Sequence, residues 1–235
     1  MSLSSAIKRR LHLDIVSDRA LHAWVLNLYL NGEQYPQRVA DYFPFTADAA
    51  LNQRMEQHMR EESRHVALYS KAIQKLGCSP QEIPLSEVFN HVVRSHTPAE
   101  FSIREDDEPG RKMEKLGHFF AHVHFIEKRV LRSLDYHLDA CAQCEVPYVA
   151  KAVSAVHRDE GSHVAYTREV VFNLLTRSRA MQVLAIHAAA ERQASIEFSA
   201  RHLRQLVSNH ARCLPGKSKI VYQACASLLS LGVHA

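Results

Sequence analysis

Two short stretches carry the residues best suited to chemistry: "EESRH" at 61–65 and "DEGSH" at 159–163. Each holds a glutamate followed three residues later by a histidine, Glu62 with His65 and Glu160 with His163. On an α-helix, positions i and i+3 lie one turn apart on one face, so each pair can point at a single spot. A carboxylate and an imidazole aimed at one point are metal ligands by type, and two per spot leave a metal short. Other helices must supply the rest. Glu33 is the only acid between Asp18 and Asp41, and Glu127 stands in the apolar stretch "FFAHVHFIEKRVL", where an unpaired charge is costly. Glu33 precedes Glu62 by 29 residues and Glu127 precedes Glu160 by 33. At about 1.5 Å per residue, each interval fits half a helix, a turn and half the next helix back to the same level. Glu33, Glu62, His65, Glu127, Glu160 and His163 therefore form a candidate metal set at one depth of a bundle.

Those ligands need helices, and the pattern is helical nearly throughout. Ser17 and Asp18 can cap a first helix through "ALHAWVLNLYLNGEQYPQRVADYF", with a kink expected near Glu33 because Gly32 and Pro36 interrupt it. Thr46 is the expected cap of a second helix, 47–76, which Gly77 ends. The stretch "SPQEIPLSEVFNHVVRS" holds two prolines and one short helix, and "REDDEPGRK" at 104–112 is a charged loop. Long helices follow at about 112–140, 147–176 and 178–211, with a last one at about 217–232 after "LPG". The first two long helices and the next two form a two-fold echo, each pair closing on a Glu-x-x-His. The expected fold is all-α, a four-helix bundle with additional C-terminal helices. It is read as one domain over 1–235, with a core at about 17–177 and accessory helices at about 178–232.

Bulk properties narrow the function classes. The chain has 235 residues, enough for one sizeable core, and 46% of them are apolar. A net charge of +4, with no basic stripe interleaved with aromatics, gives no footprint for nucleic acid. The one dense basic cluster, "IKRR" at 7–10, reads as a solvated end. No apolar run reaches the roughly 18–20 residues needed to span a bilayer, and no signal-peptide core precedes the first charges. A cytoplasmic location and no membrane partner are expected. Five scattered cysteines, at 78, 141, 144, 213 and 225, read as reduced thiols. "CAQC", Cys141 to Cys144, has no second pair to complete a tetrathiolate site.

The six-residue set matches the ligand pattern of di-iron carboxylate bundles, one Glu from each of two helices and Glu-x-x-His from each of the others. Over about 17–177 the chain thus resembles the ferritin-like di-iron carboxylate superfamily. "EESRH" resembles the acid-Glu-x-Arg-His motif of its oxygenases. "NGEQ", "RH" and "RDE" are similar to tetrads and shorter runs of aldehyde-deformylating oxygenases, from which "GSH" and the loop before the third long helix depart.

The resemblance implies two iron ions, with a manganese–iron or di-manganese pair suiting the same ligand types, and O2 as co-substrate. It implies an O2-dependent oxidase or oxygenase acting on an apolar or aromatic small molecule. An external electron donor such as a ferredoxin-type reductase system would serve it, and a homodimer is compatible with it. It also implies that Asp159 holds His65, that Glu61 holds His163, and that Arg64 neutralises one or both acids. His58, four residues before Glu62, has the spacing of the extra histidine of di-iron N-oxygenases. An outer or core role is expected for it, as for His124 and His157. Tyr29 and Tyr69 fall one turn from Glu33 and His65. "HAWVLNLYL" and "HFFAHVHF" are candidate pocket walls, as are apolar residues of "MQVLAIHAAA".

Two other readings remain open on the sequence. Ferritin- or rubrerythrin-like iron or peroxide handling is one. Almost sixty helical residues beyond 177 and the lack of a four-cysteine site weigh against it. A metal-free helical adaptor is the other, and metal analysis separates it.

Overall fold

The computed structural model describes residues 3–40, 42–98 and 100–232, and among them there is helix and no strand. The helices are α1 (Leu3–Ser17), α2 (Arg19–Glu33), α3 (Tyr35–Arg38), α4 (Ala49–Lys75), α5 (Phe89–His96), α6 (Pro109–Gln143), α7 (Pro147–Leu174), α8 (Arg177–Asn209) and α9 (Gly216–Gly232).

Local chemistry sets their ends. The Asp18 carboxylate accepts from the amides of Ala20 and Leu21 and starts α2. Asp48 does the same for Ala50 and Leu51 at the start of α4. The expectation that Thr46 caps this helix is corrected: its hydroxyl accepts from the Asp48 amide at 3.1 Å and so braces the cap from outside. Gly77 follows α4 with φ +78°, a left-handed turn in which a side chain would be strained. The kink foreseen near Glu33 is present, with Gln34 in right-handed helical backbone between α2 and α3. The helix α2 ends on Glu33, and Pro36, which has no N–H to give, begins the single turn of α3.

Four helices enclose the core. The short link between α6 and α7 makes them antiparallel neighbours, α7 packs on α4, and α4 packs on α2. Tyr29 to Ser133 and His22 to His137 hydrogen bonds tie α2 back to α6 and close the ring. Leu26, Leu30, Ile73, Leu134, Val153 and Val156 fill its interior at one end. Burying each such side chain contributes about 1.5–3 kcal/mol relative to leaving it in water. Phe119, Phe120, Met55, Val170 and Val171 fill the other end.

The remaining helices among the described residues lie outside the ring. The helix α8 packs on α6 and α5, and α9 packs on α8. The helix α1 is not a solvated tail. It packs on α6 and α2 and buries Ile15, Val16 and the Asp14 carboxylate, which accepts from Tyr222 of α9 at 2.6 Å. Arg9 and Arg10 of "IKRR" are exposed and paired with Asp139 and Asp14, whereas Lys8 is half-buried. No helix among the described residues is long and apolar enough to cross a membrane.

Candidate metal centre

All six side chains singled out by spacing converge inside the ring. Glu33 comes from the last position of α2, Glu62 and His65 from α4, Glu127 from α6, and Glu160 and His163 from α7. Each is buried, with exposures of 0–8%. Their potential ligand atoms form two groups. Glu33, Glu62, His65 and Glu160 make one; His58, Glu62, Glu127 and His163 make the other, and within each group the atoms lie within 4.8 Å of one another. Glu62 belongs to both.

His58 departs from expectation. It lies within the cluster: its Nε2 sits 3.2 Å from Glu62 Oε1 and 3.6 Å from Glu127 Oε1. Its Nδ1 bonds the Tyr166 hydroxyl at 2.5 Å, and its ring stacks on that of His163, 3.7 Å between centroids. One helix, α4, therefore presents three ligand-type residues at i, i+4 and i+7, which all fall on one face. The spacing was visible in the sequence; the direction of the side chain was not. The two groups are consequently unlike, one with a single imidazole and the other with two. His124 and His157 stay outside. His124 bonds the Val164 carbonyl and His157 pairs with exposed Asp135.

Each histidine of the two Glu-x-x-His motifs uses its far nitrogen on an acid of the opposite motif. His65 Nε2 donates to Asp159 at 2.9 Å and His163 Nε2 donates to Glu61 at 2.9 Å. Arg64 pairs with Asp159, and Gln57 donates to Glu61 at 3.0 Å. These crossed braces fix the tautomers. With the Nε2 hydrogens directed outward, each Nδ1 turns its lone pair into the cluster.

A cation is what this arrangement lacks in its own atoms. Glu62 Oε1 is buried and has no hydrogen-bond partner among the described residues. It nonetheless faces His58 Nε2 at 3.2 Å, His163 Nδ1 at 3.6 Å and His65 Nδ1 at 3.9 Å. Glu160 Oε1 is likewise buried and unbonded. A carboxylate oxygen ringed by nitrogen lone pairs is repulsive unless a positive charge sits between them. Protons do this in the metal-free chain. Burial and then the neighbouring carboxylates Glu33, Glu127 and Glu160 push Glu62 well above the usual range, and burial with the charge of Glu127 lifts Glu160 to about 7. Burial pulls the imidazoles down, but the bonds to Glu160 and Glu33 more than offset it for His65, which rises to about 11. His163 rises to about 9, its burial outweighed by Glu160. Divalent cations with imidazole and carboxylate ligands would replace those protons. The donor set fits a pair of such ions.

Two tyrosines approach from the sides. Tyr69 is fully buried, its hydroxyl has no partner among the described residues, and burial followed by the Glu33 charge raises its pKa. Its ring meets that of Tyr29, 5.7 Å between centroids, and Tyr29 bonds Ser133.

A cavity of about 880 Å³ reaches the cluster, with Glu33, His58, Glu62 and Glu127 in its wall. Trp24, Val25, Leu28 and Tyr29 line it from α2, so that part of "HAWVLNLYL" is a wall as anticipated. The other two candidate stretches are not. From α8 the wall comes from residues beyond "MQVLAIHAAA", among them Ile196, Phe198 and Leu203. "HFFAHVHF" packs into the core, where Phe119, Phe120 and Val123 sit against Leu51 and Met55. Sequence reasoning placed the apolar residues inside but could not tell core from cavity, because both demand the same side chains.

All five cysteines are free. Cys141 is buried beside His22 and His137, whose Nε2 atoms are 3.0 Å apart, in a group separate from the carboxylate cluster. No family model, no curated protein and no solved structure matches this chain.

Proposed function

We propose that the protein is a non-haem di-iron oxidase or oxygenase of ferritin-like architecture that uses O2 on an apolar organic molecule. The observation that carries this reading is the meeting of two features. Seven buried ligand-type side chains lie at one level, and four of them stand in the wall of an 880 Å³ cavity. Glu33, Glu62, His65 and Glu160 would hold one ion; His58, Glu127 and His163, sharing Glu62, would hold the other. When bound, such a metal pair supplies the electrons that reduce O2.

The chain's own groups do the remainder. Asp159 and Glu61 keep the imidazole tautomers fixed and make them better donors. Tyr42 and Phe43 cover the cavity side of the cluster, packed edge to face at 5.1 Å, and Phe43 meets the His58 ring at 5.1 Å. This apolar cover excludes water from the reacting end. The Tyr69–Tyr29 pair leads from the cluster toward α6 and is placed to pass an electron or proton outward. Iron storage or peroxide handling would call for a short polar approach lined by acids, and the wide, mainly apolar cavity favours an organic substrate instead.

Elemental analysis of the purified chain grown with iron should find about two metal ions per chain, as the donor count implies. Rapid mixing of the reduced, loaded protein with O2 should show uptake that apolar ligands accelerate. A chain that binds no metal, or one that oxidises iron to a mineral, refutes the proposal.

A further inference from the structure

The cavity is not uniformly apolar. Away from the carboxylate cluster its wall carries Lys8 from α1 and Arg129 and Arg132 from α6. The three cations are close neighbours. Burial, and then the charges of Arg129 and Arg132, lower the pKa of Lys8. None of the three makes a close ion pair among the described residues, although the Glu191 charge acts on Lys8 and Arg129. Two acids share this end of the wall, Glu191 and Asp135. Glu191 accepts from Ser195 at 2.6 Å, and Asp135 is paired with His157 at 2.8 Å. Arg192 adds a fourth positive charge to the lining. Arg129 is half-buried, lies over the face of Phe89 at 5.9 Å, and feels the Glu191 carboxylate more strongly than any other charge.

Glu191 alone does not balance Lys8, Arg129, Arg132 and Arg192, and cations in excess at a partly dry wall are costly to keep. An anion in the cavity would satisfy them, and a planar carboxylate would do so through paired hydrogen bonds. The other end sets the direction. Glu127, held ionised beside His58, opposes an anion there, so a negatively charged ligand places its charged head among the cations and its apolar remainder toward His58. Arg132 lies five residues beyond Glu127, about 7.5 Å along α6 at the helical rise. The ligand is therefore elongated, with its charge and its reacting end apart.

We propose that the cavity binds an amphipathic organic acid, its carboxylate held by Lys8, Arg129 and Arg132 and its apolar chain lying along Trp24, Leu28 and Phe198 toward the carboxylate cluster. This rests on the reading of the cluster as an oxidase centre only for the fate of the ligand, not for its binding.

Trp24 is the sole tryptophan of the chain and lines the cavity, so its fluorescence reports occupancy without turnover. Titration with decanoate, decanol and decylamine separates charge from chain length. Decanoate should bind about 10–100-fold more tightly than decanol, the range expected for hydrogen bonds to a charged group, and decylamine most weakly. In a Lys8→Gln/Arg132→Gln variant, both changes lying toward the solvent side, decanoate should fall to the affinity of decanol while decanol is unchanged. Arg129→Gln should do the same where it folds, as judged by circular dichroism. Equal affinity of decanoate and decanol for the natural chain overturns the proposal, as does a preference for decanoate that survives in the double variant. Metal content, measured on the same samples, keeps the two readings distinct. Selective decanoate binding by a chain that takes up no metal refutes the oxidase reading alone. A chain with two metals and no charge preference refutes this one alone.

Discussion

Replacing His58 by Ala tests whether the cluster has seven ligand-type members or six. The change removes Nε2 from the group of His58, Glu62, Glu127 and His163, and leaves the group of Glu33, Glu62, His65 and Glu160 untouched. The metal count should thus fall from about two to about one per chain, not to zero. Loss of an outer partner of a ligand costs about 10–100-fold in metal affinity; loss of a ligand should cost more, so the affected position empties at micromolar metal. The fold should survive. The Tyr166 hydroxyl loses one hydrogen bond, worth about 0.5–1.5 kcal/mol, and the vacated ring volume beside His163 adds a cavity cost of a few kcal/mol. For a chain of this size each kcal/mol lowers Tm by about 2–4 °C. The assay is elemental analysis after dialysis at fixed free metal, with circular dichroism and thermal melts on the same samples. His124→Ala serves as the control, since His124 bonds a backbone carbonyl outside the cluster. A His58→Ala protein that keeps two ions at unchanged affinity refutes the seven-membered centre. One that loses both ions equally refutes the division into two groups.

Other outcomes follow from the braces and from protonation. Asp159→Asn keeps the shape but removes the charge that His65 Nε2 and Arg64 share, and should weaken metal binding about 10–100-fold, or about 1.4–2.8 kcal/mol. Arg64→Gln should do much less, because Arg64 is 54% exposed and surface pairs contribute about 0–1 kcal/mol; titration with a chelator competitor compares them. The metal-free protein should lose stability as pH rises from 7 toward 9. His65, His163 and Glu160 have folded pKa values above their unfolded ones, at about 11, about 9 and about 7, so the folded chain holds more protons in that window. On the acid side the sign reverses. Burial holds His12, His22 and His122 near about 3, about 4 and about 3, and stability should fall as pH drops below the ordinary 6.5. Loaded protein should lose the alkaline decline, since metal replaces the protons. A metal-free Tm that is flat or rising between pH 7 and 9 counts against this protonation scheme.

What the sequence determined by itself was periodic or local. Helix positions followed from the 3.6-residue repeat of apolar residues, and α4, α6, α7, α8 and α9 lie within a few residues of where that repeat placed them, whereas α1 was not foreseen. The depth of Glu33, Glu62, Glu127 and Glu160 was legible because helical rise is fixed, so sequence separation converts to height in a bundle. The crossed hydrogen bonds of Asp159 with His65 and Glu61 with His163 were implied by the resemblance of "EESRH" to an oxygenase motif, and spacing alone did not give them. What only the tertiary structure decided was direction and distance across elements. The i, i+4 spacing of His58 put it on the right face but left open whether its ring turned inward, which the neighbouring Tyr166 hydroxyl and His163 ring decide. Phe119 and Trp24 are equally apolar, yet one fills the core and the other borders a cavity. That difference depends on how closely α6 meets α4 and α7, and how far α8 stands from α2, none of which is written in a single helix. The same holds for Lys8. In the sequence it belongs to a basic run at a chain end, and only the packing of α1 on α6 brings its ammonium beside Arg129 and Arg132, where like charges share a wall and call for an anion.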